Sequence, residues 1–212
     1  ALVTAGPTYE AIDPVRFIGN RSSGKQGFAL AQAALDSGAD VHLIAGPSTL
    51  PTPNGARRHN VITAKEMSTT VLTSCRNADV LIMAAAVADF RPTRQYPQKL
   101  KKAKGTPLLT LEPTPDVLSQ IHKIRLKSGR PKIVIGFAAE TENLLANAQA
   151  KLKDKGLSMI VANDVSKPEA GFLVDTNKVT IIGPNGAPPQ TLPRLPKTKV
   201  AQEIIKNLLE KL

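Results

Sequence analysis

The sequence of 212 residues contains little cysteine and few aromatic side chains: one cysteine, no tryptophan and 3% aromatic residues. Because Cys75 has no second cysteine to pair with, no disulfide can form within the chain, which favours a reducing, cytoplasmic setting. The longest apolar stretch, Val80 to Val87, is too short to cross a bilayer, and no secretory signal pattern is evident. These absences argue against a disulfide-rich secreted protein and against a membrane protein.

Several catalytic and cofactor motifs are also missing. A dinucleotide site needs the pattern G-x-G-x-x-G after the first strand, but Gly6 stands alone there, and residues 44–47 offer no carboxylate for a ribose. The three histidines, His42, His59 and His122, show neither metal-ligand spacing nor the pattern of a catalytic triad. An NAD(P)-dependent reductase and a metalloenzyme with histidine or cysteine ligands are therefore disfavoured.

Positive charge is concentrated in one part of the chain. The net charge is +11, and residues 91–132 contain eleven basic and two acidic side chains, so they carry nine of these charges. Such a field attracts polyanions, either nucleic acid or a small phosphorylated substrate. Surfaces that bind nucleic acid usually stack bases on aromatic rings, so the scarcity of aromatics favours the small substrate. A basic, Rossmann-like nucleic-acid-binding module stays the alternative, and the charges of 123–132 are typical of a solvated helix face.

Apolar segments alternate with segments of helical period, and this pattern predicts an α/β fold. Strands are predicted at 2–5, 41–45, 80–86, 132–138, 159–162 and 179–182, the last at a sheet edge, and helices at 23–38, 64–76, 114–129, 142–155 and 198–212. Because the strands are apolar throughout, we expect a Rossmann-like, doubly wound, mostly parallel sheet in a single domain, 1–212. A flap or hairpin is expected around residues 91–113, with arms at 99–102 and 108–111. Ligands of such sheets bind beyond the carboxyl ends of the strands.

A long connection, residues 7–21, follows the first predicted strand, where about 2–6 residues are usual. Its end overlaps Gly19 to Lys25, which matches the spacing G-x-x-x-x-G-K of a phosphate loop, but Gln26 replaces the Ser or Thr that holds Mg²⁺. A weaker prediction survives: an anion site at the start of the next helix, with Arg21 and Lys25 beside it. The alternative is that Ser22, Ser23 and Gly24 only cap the helix. The spacing of Ser23 and Gln26 predicts a capping box at the start of this helix.

Two groups of lysines suggest phosphate binding. Lys99 and Lys101 would lie on one side of an extended arm. Lys151 and Lys155 are four residues apart on one predicted helix face, where like charges destabilise an isolated helix. A bound triphosphate would explain this spacing, and a solvated face explains it equally well.

Seven segments, in order, resemble the phosphopantothenoylcysteine synthetase family of bacterial type. They are Val3–Thr8, Ile12–Arg16, Asn20–Lys25, Ala85–Phe90, Lys99–Lys102, Gly136–Thr141 and Val161–Asp164. The resemblance spans nearly the whole chain and weakens after about residue 170. In bacteria this domain is commonly the C-terminal half of a bifunctional protein with an N-terminal flavin-dependent decarboxylase. The resemblance therefore implies that this chain, which begins without Met, is part of a longer one.

The resemblance also implies a reaction in coenzyme A synthesis. 4′-Phosphopantothenate and CTP would form an acyl-cytidylate and pyrophosphate, and the amine of L-cysteine would then form an amide and release CMP. The signature Lys-x-Lys-Lys at Lys99–Lys102 implies CTP, because relatives without it tend to use ATP. Mg²⁺ and a homodimer belong to the same expectation, whereas nucleic acid and membrane partners do not.

Site residues follow from the same resemblance. Asn20 would hold the acyl-cytidylate, and Lys99 on the flap would neutralise charge at the α-phosphate, which makes these two the catalytic residues. Arg16 and Asn20 are expected to bind phosphopantothenate. The positions expected to contact the nucleotide are Asp89, Lys99, Phe137, Lys151 and Lys155, of which Asp89 is also a possible metal ligand.

Overall fold

The computed structural model describes residues 1–102, 108–140, 142–164, 173–184, 186 and 188–210. The strands are β1 (Leu2–Ala5), β2 (Tyr9–Ala11), β3 (Phe17–Gly19), β4 (His42–Ala45), β5 (Arg57–Asn60), β6 (Val80–Met83), β7 (Phe90–Pro92), β8 (Leu111–Pro113), β9 (Ile133–Glu140), β10 (Met159–Asp164), β11 (Thr176–Asn177), β12 (Val179–Ile182), β13 (Gln190–Thr191) and β14 (Leu195–Pro196). The helices are α1 (Lys25–Asp36), α2 (Ala64–Ser74), α3 (Val117–Ser128), α4 (Leu144–Asp154) and α5 (Lys197–Leu209). A membrane-crossing helix, which would have to be longer and more apolar, is not found among the described residues.

An eight-stranded sheet forms the centre of the molecule, in the order β13-β12-β10-β9-β6-β1-β4-β5. The strands from β10 to β5 are parallel to their neighbours, and β12 and β13 are antiparallel. This arrangement confirms the predicted Rossmann-like, mostly parallel sheet. The prediction missed β5, because its sequence Arg57–Asn60 is polar and mostly exposed at the sheet edge. It was also wrong about β12, which has β13 on its outer side and is not an edge strand.

Helices cover both faces of this sheet, so the molecule has two apolar layers. Helices α1 and α5 pack on one face, with Phe28, Leu30, Val200 and Ile204 in the contact. Helices α2, α3 and α4 pack on the other face, with Met67, Val71, Ile121, Ala148 and Leu152 in the contact. Strands enclosed in this way must be apolar on both sides, which explains why the buried parallel strands were readable in the sequence.

The strand order reverses at β1. From β1 the chain runs through α1 to β4 and β5 on one side and later enters β6 on the other side. The segment after β6 is joined both to β1 and to the segment after β1. Thr4 Oγ1 in β1 accepts a hydrogen bond from Ala85 N at 3.1 Å, and Thr8 Oγ1 accepts one from Ala88 N at 2.9 Å. Such a reversal opens a crevice at the carboxyl ends of the strands, where ligands bind.

The connection 7–21 is a hairpin as well as a loop. Strands β2 and β3 pair antiparallel, and the Tyr9 and Phe17 rings stack with centroids 3.8 Å apart. The second excursion pairs Phe90–Pro92 with Leu111–Pro113. The expected flap therefore exists, but its predicted arms are wrong, since Lys99–Lys102 form no strand. Residues 103–107 of the flap and 211–212 of the predicted last helix lie outside the described residues.

The start of α1 differs from the predicted capping box. Its N-cap is Gly24, at φ 80°, which has no side chain with which to cap the helix. Gln26 Nε2 donates instead to Lys197 O at 3.2 Å, at the start of α5. The helix approaches β1 closely, because a Cβ on Gly27 would lie 2.5 Å from the Ala5 Cβ. Glycine is required at this contact, and the Ser23–Gln26 capping box is wrong.

Candidate active site

A cleft of about 610 Å³ lies at the carboxyl ends of β1, β6, β9 and β10, a size typical of small-molecule sites. Its walls come from the start of α1, the segment after β6, the start of α3, the end of β9 and one face of α4. Five of the seven predicted site residues line it: Asn20, Asp89, Phe137, Lys151 and Lys155. The structure therefore brings together residues that are far apart in the sequence.

The first wall is the uncapped start of α1. Residues 22–27 line the cleft, and Ser22 Oγ accepts a hydrogen bond from Gly24 N at 3.3 Å. The main-chain N–H groups at the start of a helix favour a bound anion. The N-cap residue, Gly24, has no side chain that could compete for them. The anion site predicted from sequence thus has a suitable position on the cleft wall.

The floor of the cleft is the small-residue segment 84–88 after β6. Asn20 is attached to this floor, since its Nδ2 donates to Ala86 O at 3.0 Å and to Val87 O at 3.1 Å. Both amide hydrogens of Asn20 are thereby used by the protein, which leaves Oδ1 as the polar atom for other contacts. Asn20 links the loop before α1 to the floor.

Two lysines of α4 form the opposite wall, in different environments. Lys151 Nζ donates to Phe137 O at 2.9 Å. Burial lowers the pKa of Lys151, with Glu140 and Asp89 acting in the opposite direction. Lys155 Nζ is bonded to Asp116 Oδ2 at 2.6 Å and to Ser119 Oγ at 2.8 Å. The predicted lysine pair therefore points toward the cleft, but Lys155 already has a carboxylate partner.

Asp116 is also the N-cap of α3, accepting from Ser119 N at 3.0 Å. Burial acts to raise the pKa of Asp116, but the hydrogen bonds from Lys155 and Ser119 outweigh it and hold the pKa below its usual value. The carboxylate is thus ionised and shared between a helix terminus and a lysine.

The carboxylates of the cleft do not form a metal cage. No group of three or more histidine, cysteine or acidic side chains with metal-binding geometry occurs in the part of the chain that the structure describes. Asp89 lines the cleft as an exposed single carboxylate, close enough to Lys151 to influence its pKa. A metal held there would need most of its ligands from the substrate and water, which is how Mg²⁺ is usually bound with nucleotides.

A second pair of lysines, Lys25 and Lys197, lines the cleft beside the start of α1. Lys25 Nζ contacts Asp175 Oδ1 at 2.6 Å. Lys197 is only 6% exposed, and its Nζ donates to Val174 O at 2.6 Å. Burial, and then the neighbouring Lys25, lowers the pKa of Lys197 to about 8. Lys25 was flagged from the sequence; Lys197 was missed, because nothing local in the sequence relates it to α1.

The other two predicted residues, Arg16 and Lys99, do not line the cleft. Arg16 Nη2 donates to Leu100 O at 2.9 Å and forms an ion pair with Asp13. Lys99 is exposed next to this contact. Both residues therefore belong to one structure, in which the flap segment is attached to the loop between β2 and β3.

Comparisons with known proteins place the chain in a family. The family model described as the DNA/pantothenate metabolism flavoprotein C-terminal domain matches residues 1–212. The chain is 43% identical over 209 residues to the "Coenzyme A biosynthesis bifunctional protein CoaBC" of Vibrio vulnificus (strain YJ016), covering 98% of this chain and 51% of that protein. It is 44% identical over 208 residues to the protein of the same name from Bacillus subtilis (strain 168), covering 98% and 50%. The chain thus spans about half the length of these relatives.

A solved structure is also similar. It is described as the crystal structure of the C-terminal domain of a coenzyme A biosynthesis bifunctional protein CoaBC. The two folds agree with a TM-score of 0.81 at 40% sequence identity, over 100% of this chain and 95% of that one.

Proposed function

Because the chain belongs to the DNA/pantothenate metabolism flavoprotein C-terminal domain family, we propose that it is a phosphopantothenate–cysteine ligase of coenzyme A biosynthesis. The observation that carries the proposal is the cleft itself, which gathers Asn20, Asp89, Phe137, Lys151 and Lys155 at the strand reversal. The resemblance of the sequence to the synthetase family implies a role for each of these positions. CTP, 4′-phosphopantothenate and L-cysteine are the proposed substrates.

In the first step, the carboxylate of phosphopantothenate attacks the α-phosphorus of CTP. A carboxylate oxygen–phosphorus bond forms, the bond from the α-phosphorus to the bridging oxygen breaks, and pyrophosphate leaves. Both reactants are anions, so fixed cations must reduce their repulsion and stabilise the leaving charge. Lys151 and Lys155 supply cations on the α4 wall, and Lys99 would supply one from the flap.

In the second step, the amine of cysteine attacks the acyl carbon. A carbon–nitrogen bond forms, the bond from the acyl carbon to the phosphate oxygen breaks, CMP leaves and the nitrogen loses a proton. Neither step needs a nucleophile from the protein, and positioning with electrostatic stabilisation suffices. Asn20 is suited to position the acyl-cytidylate, since it is fixed to the cleft floor by two hydrogen bonds.

The phosphate of phosphopantothenate is proposed to bind at the start of α1. Main-chain N–H groups and two nearby ammonium groups, those of Lys25 and Lys197, make this wall favourable for a dianion. The carboxyl end of the substrate then extends toward Asn20 and the α4 lysines. Mg²⁺ is proposed to arrive with the triphosphate, with Asp89 as its candidate protein ligand.

We also infer a homodimer and a larger native protein. Exposed apolar side chains lie on the two hairpins and the loops that join their strands: Val15, Phe17, Phe90, Leu108 and Leu111. Exposed apolar surface is a common feature of interaction sites, and a second copy of the chain is the proposed occupant. The relatives are named bifunctional and are about twice as long as this chain, which supports a second fused domain. We propose that this domain is a flavin-dependent decarboxylase and that the enzyme is cytoplasmic.

The test is pyrophosphate release after mixing the protein with 4′-phosphopantothenate, Mg²⁺ and either CTP or ATP, with and without cysteine. Release with CTP, and amide product only when cysteine is present, is the expected result. A preference for ATP would keep the ligase and overturn the reading of the Lys99–Lys102 signature. No release with either nucleotide would overturn the ligase, and salt-dependent binding of RNA or DNA would then favour the nucleic-acid module.

A further inference from the structure

The loop between β2 and β3 contains a buried charge whose partners lie partly outside the loop. The side chain of Asp13 is 0% exposed. It accepts hydrogen bonds from Val15 N at 2.8 Å, Arg16 N at 2.9 Å and Arg16 Nε at 2.9 Å, and it also accepts one from Leu100 N at 3.2 Å. A buried charge persists only when it is fully partnered. The Asp13 carboxylate therefore has a fixed position, from which it holds the main-chain and side-chain groups that donate to it.

Leu100 is held through both of its main-chain polar groups. Its N–H donates to Asp13 Oδ2 at 3.2 Å, and its carbonyl oxygen accepts from Arg16 Nη2 at 2.9 Å. Four residues earlier, Tyr96 N donates to Ile12 O at 2.8 Å. The paired strands of the flap, by contrast, end at Pro92 and Leu111, and one further main-chain hydrogen bond joins Thr93 N to Thr110 O at 3.0 Å. Among the described residues of the flap, the segment 96–100 is therefore attached to the 12–16 loop and not to a strand of its own hairpin.

We propose that Asp13 is a positioning residue for Lys99, acting through Arg16 and the main chain of Leu100. The inference rests on the ligase function proposed above, because it concerns the residue that would stabilise the α-phosphate. Lys99 precedes Leu100 directly, so fixing the Leu100 peptide groups limits where the Lys99 ammonium can reach. Arg16 then acts on the first half-reaction by holding the flap, in addition to any contact with substrate.

The ionisation state of Asp13 is consistent with this positioning role. The Arg16 guanidinium holds the pKa of Asp13 well below its usual range, with further help from the main-chain donors of Val15 and Leu100. Asp13 thus stays ionised over the range in which the enzyme would work. Asn at this position would keep the shape of the side chain but lose the negative charge that pairs with Arg16. Its amide nitrogen is a hydrogen-bond donor and would face the N–H groups that now donate to Asp13.

The first experiment is limited trypsin digestion with cleavage sites identified by mass spectrometry. Asp13→Asn should speed cleavage after Lys99, Lys101 and Lys102 by about tenfold or more, because the local opening free energy falls. The matched control is Glu10→Gln on the same hairpin, whose buried carboxylate accepts from Ala64 N at 2.7 Å and holds α2 instead of the flap. Equal cleavage of this segment in both variants would overturn the proposal.

The second experiment is a double-mutant cycle on pyrophosphate release. Lys99→Gln and Asp13→Asn should each lower kcat, by about 10- to 100-fold. If Asp13 acts through Lys99, then adding Asp13→Asn to Lys99→Gln should lower kcat by less than about twofold further. Independent, multiplicative losses would overturn the positioning role, whereas Glu10→Gln should show no such coupling.

The two experiments separate failure of this inference from failure of the proposed function. Trypsin digestion needs no substrate, so it reports on the attachment of the flap whether or not the protein is a ligase. Faster cleavage in Asp13→Asn together with no turnover by the unaltered protein would overturn the ligase and keep the attachment. Turnover with unchanged cleavage and multiplicative kinetics would keep the ligase and overturn the attachment.

Discussion

Asn20 joins two parts of the cleft through hydrogen bonds that an aspartate could not make. In Asn20→Asp, a carboxylate would face the carbonyl oxygens of Ala86 and Val87, which now accept from the amide at 3.0 and 3.1 Å. The acyl-cytidylate should then be held poorly. We expect amide formation to fall by about 100-fold while pyrophosphate is still released with CTP. Quantifying both products in a single-turnover reaction checks this.

The control for this substitution is Asn54→Asp, which makes the same chemical change in the exposed loop between β4 and β5. It should leave both half-reactions unchanged. Normal amide turnover in Asn20→Asp would contradict the role given to Asn20.

Lys197 predicts a pH dependence of stability. Its pKa is about 8 in the folded protein, lowered mainly by burial from an ordinary value of 10.5. Below about pH 8 the side chain is charged in both the folded and the unfolded protein, and above pH 10.5 it is neutral in both. Between these values the unfolded chain binds the proton and the folded chain does not, so this residue makes the free energy of unfolding rise with pH.

The measurement is urea unfolding of the unaltered protein and of Lys197→Met at pH 7 and at pH 10. The free energy of unfolding of the unaltered protein, relative to that of the variant, should increase from pH 7 to pH 10. The increase is about 1.4 kcal/mol for each pKa unit by which Lys197 differs between the folded and the unfolded protein. Lys199→Met, at an exposed position one half-turn along the same helix, is the matched control and should not alter the pH profile. Parallel curves for Lys197→Met and the unaltered protein would rule out the assignment.

Two residues that line the cleft could be selected from the sequence because they belong to continuous motifs, although Arg16 and Lys99 belong to such motifs too and do not line it. Asn20 and Asp89 lie in segments that resemble a family, and both line the cleft. Lys197 could not be found in this way, because its burial and its approach to Lys25 depend on how α5 packs beside α1. The attachment of Leu100 to Asp13 was equally hidden, since 87 residues separate the two groups.

At the scale of elements, the start of α3 couples helix stability to the cleft. Asp116 caps α3 and also pairs with Lys155. Asp116→Ala should therefore lower the free energy of unfolding by about 1 kcal/mol, the usual loss for an N-cap. It should also release the Lys155 ammonium and remove a negative charge, so CTP should bind about 3- to 10-fold more tightly. Urea unfolding and calorimetric titration with CTP measure the two effects.

The helix α2 offers the matched control. Its N-cap Thr63 accepts from Glu66 N at 3.2 Å and does not line the cleft. Thr63→Ala should lose a similar amount of stability without changing the affinity for CTP. If both variants bind CTP as the unaltered protein does, Asp116 has no influence on Lys155 in the site.

Elements differed in how well their sequences predicted them. The buried parallel strands and the helix α5, with Val200, Ile204 and Leu208 on one face, carry strong periodic or continuous apolar signals. Strand β5 is polar, and the β2–β3 hairpin has an exposed turn with no simple alternation. Such elements form because tertiary neighbours pair with them, and local sequence does not report those neighbours.

For the whole molecule, the exposed apolar surface on the two hairpins predicts self-association. Leu111, on β8, is one of these exposed apolar side chains and is 44% exposed. Leu111→Glu would place a charge in the proposed interface, where desolvation is unfavourable. Sedimentation velocity should show a dimer for the unaltered protein and at least about tenfold weaker association for the variant.

Leu126→Glu is the control for this surface, because Leu126 is 73% exposed on α3, away from the hairpins. It should remain dimeric. A monomeric unaltered protein at micromolar concentration, or equal weakening in the two variants, would contradict the proposed interface.

The floor of the cleft is made mostly of small side chains and main chain, from Ala84 to Ala88, with Ala138 and Ala139 beside them. An inhibitor that hydrogen-bonds to the main-chain N–H and C=O groups of this floor would contact atoms that do not depend on the side chain present. Substituting a floor residue would leave the main-chain groups that bind the inhibitor in place. A larger side chain at the floor would obstruct the natural ligand as well as the inhibitor. Resistance by point mutation should therefore arise at the lysine walls and the flap, and compounds anchored to the floor should be harder to evade.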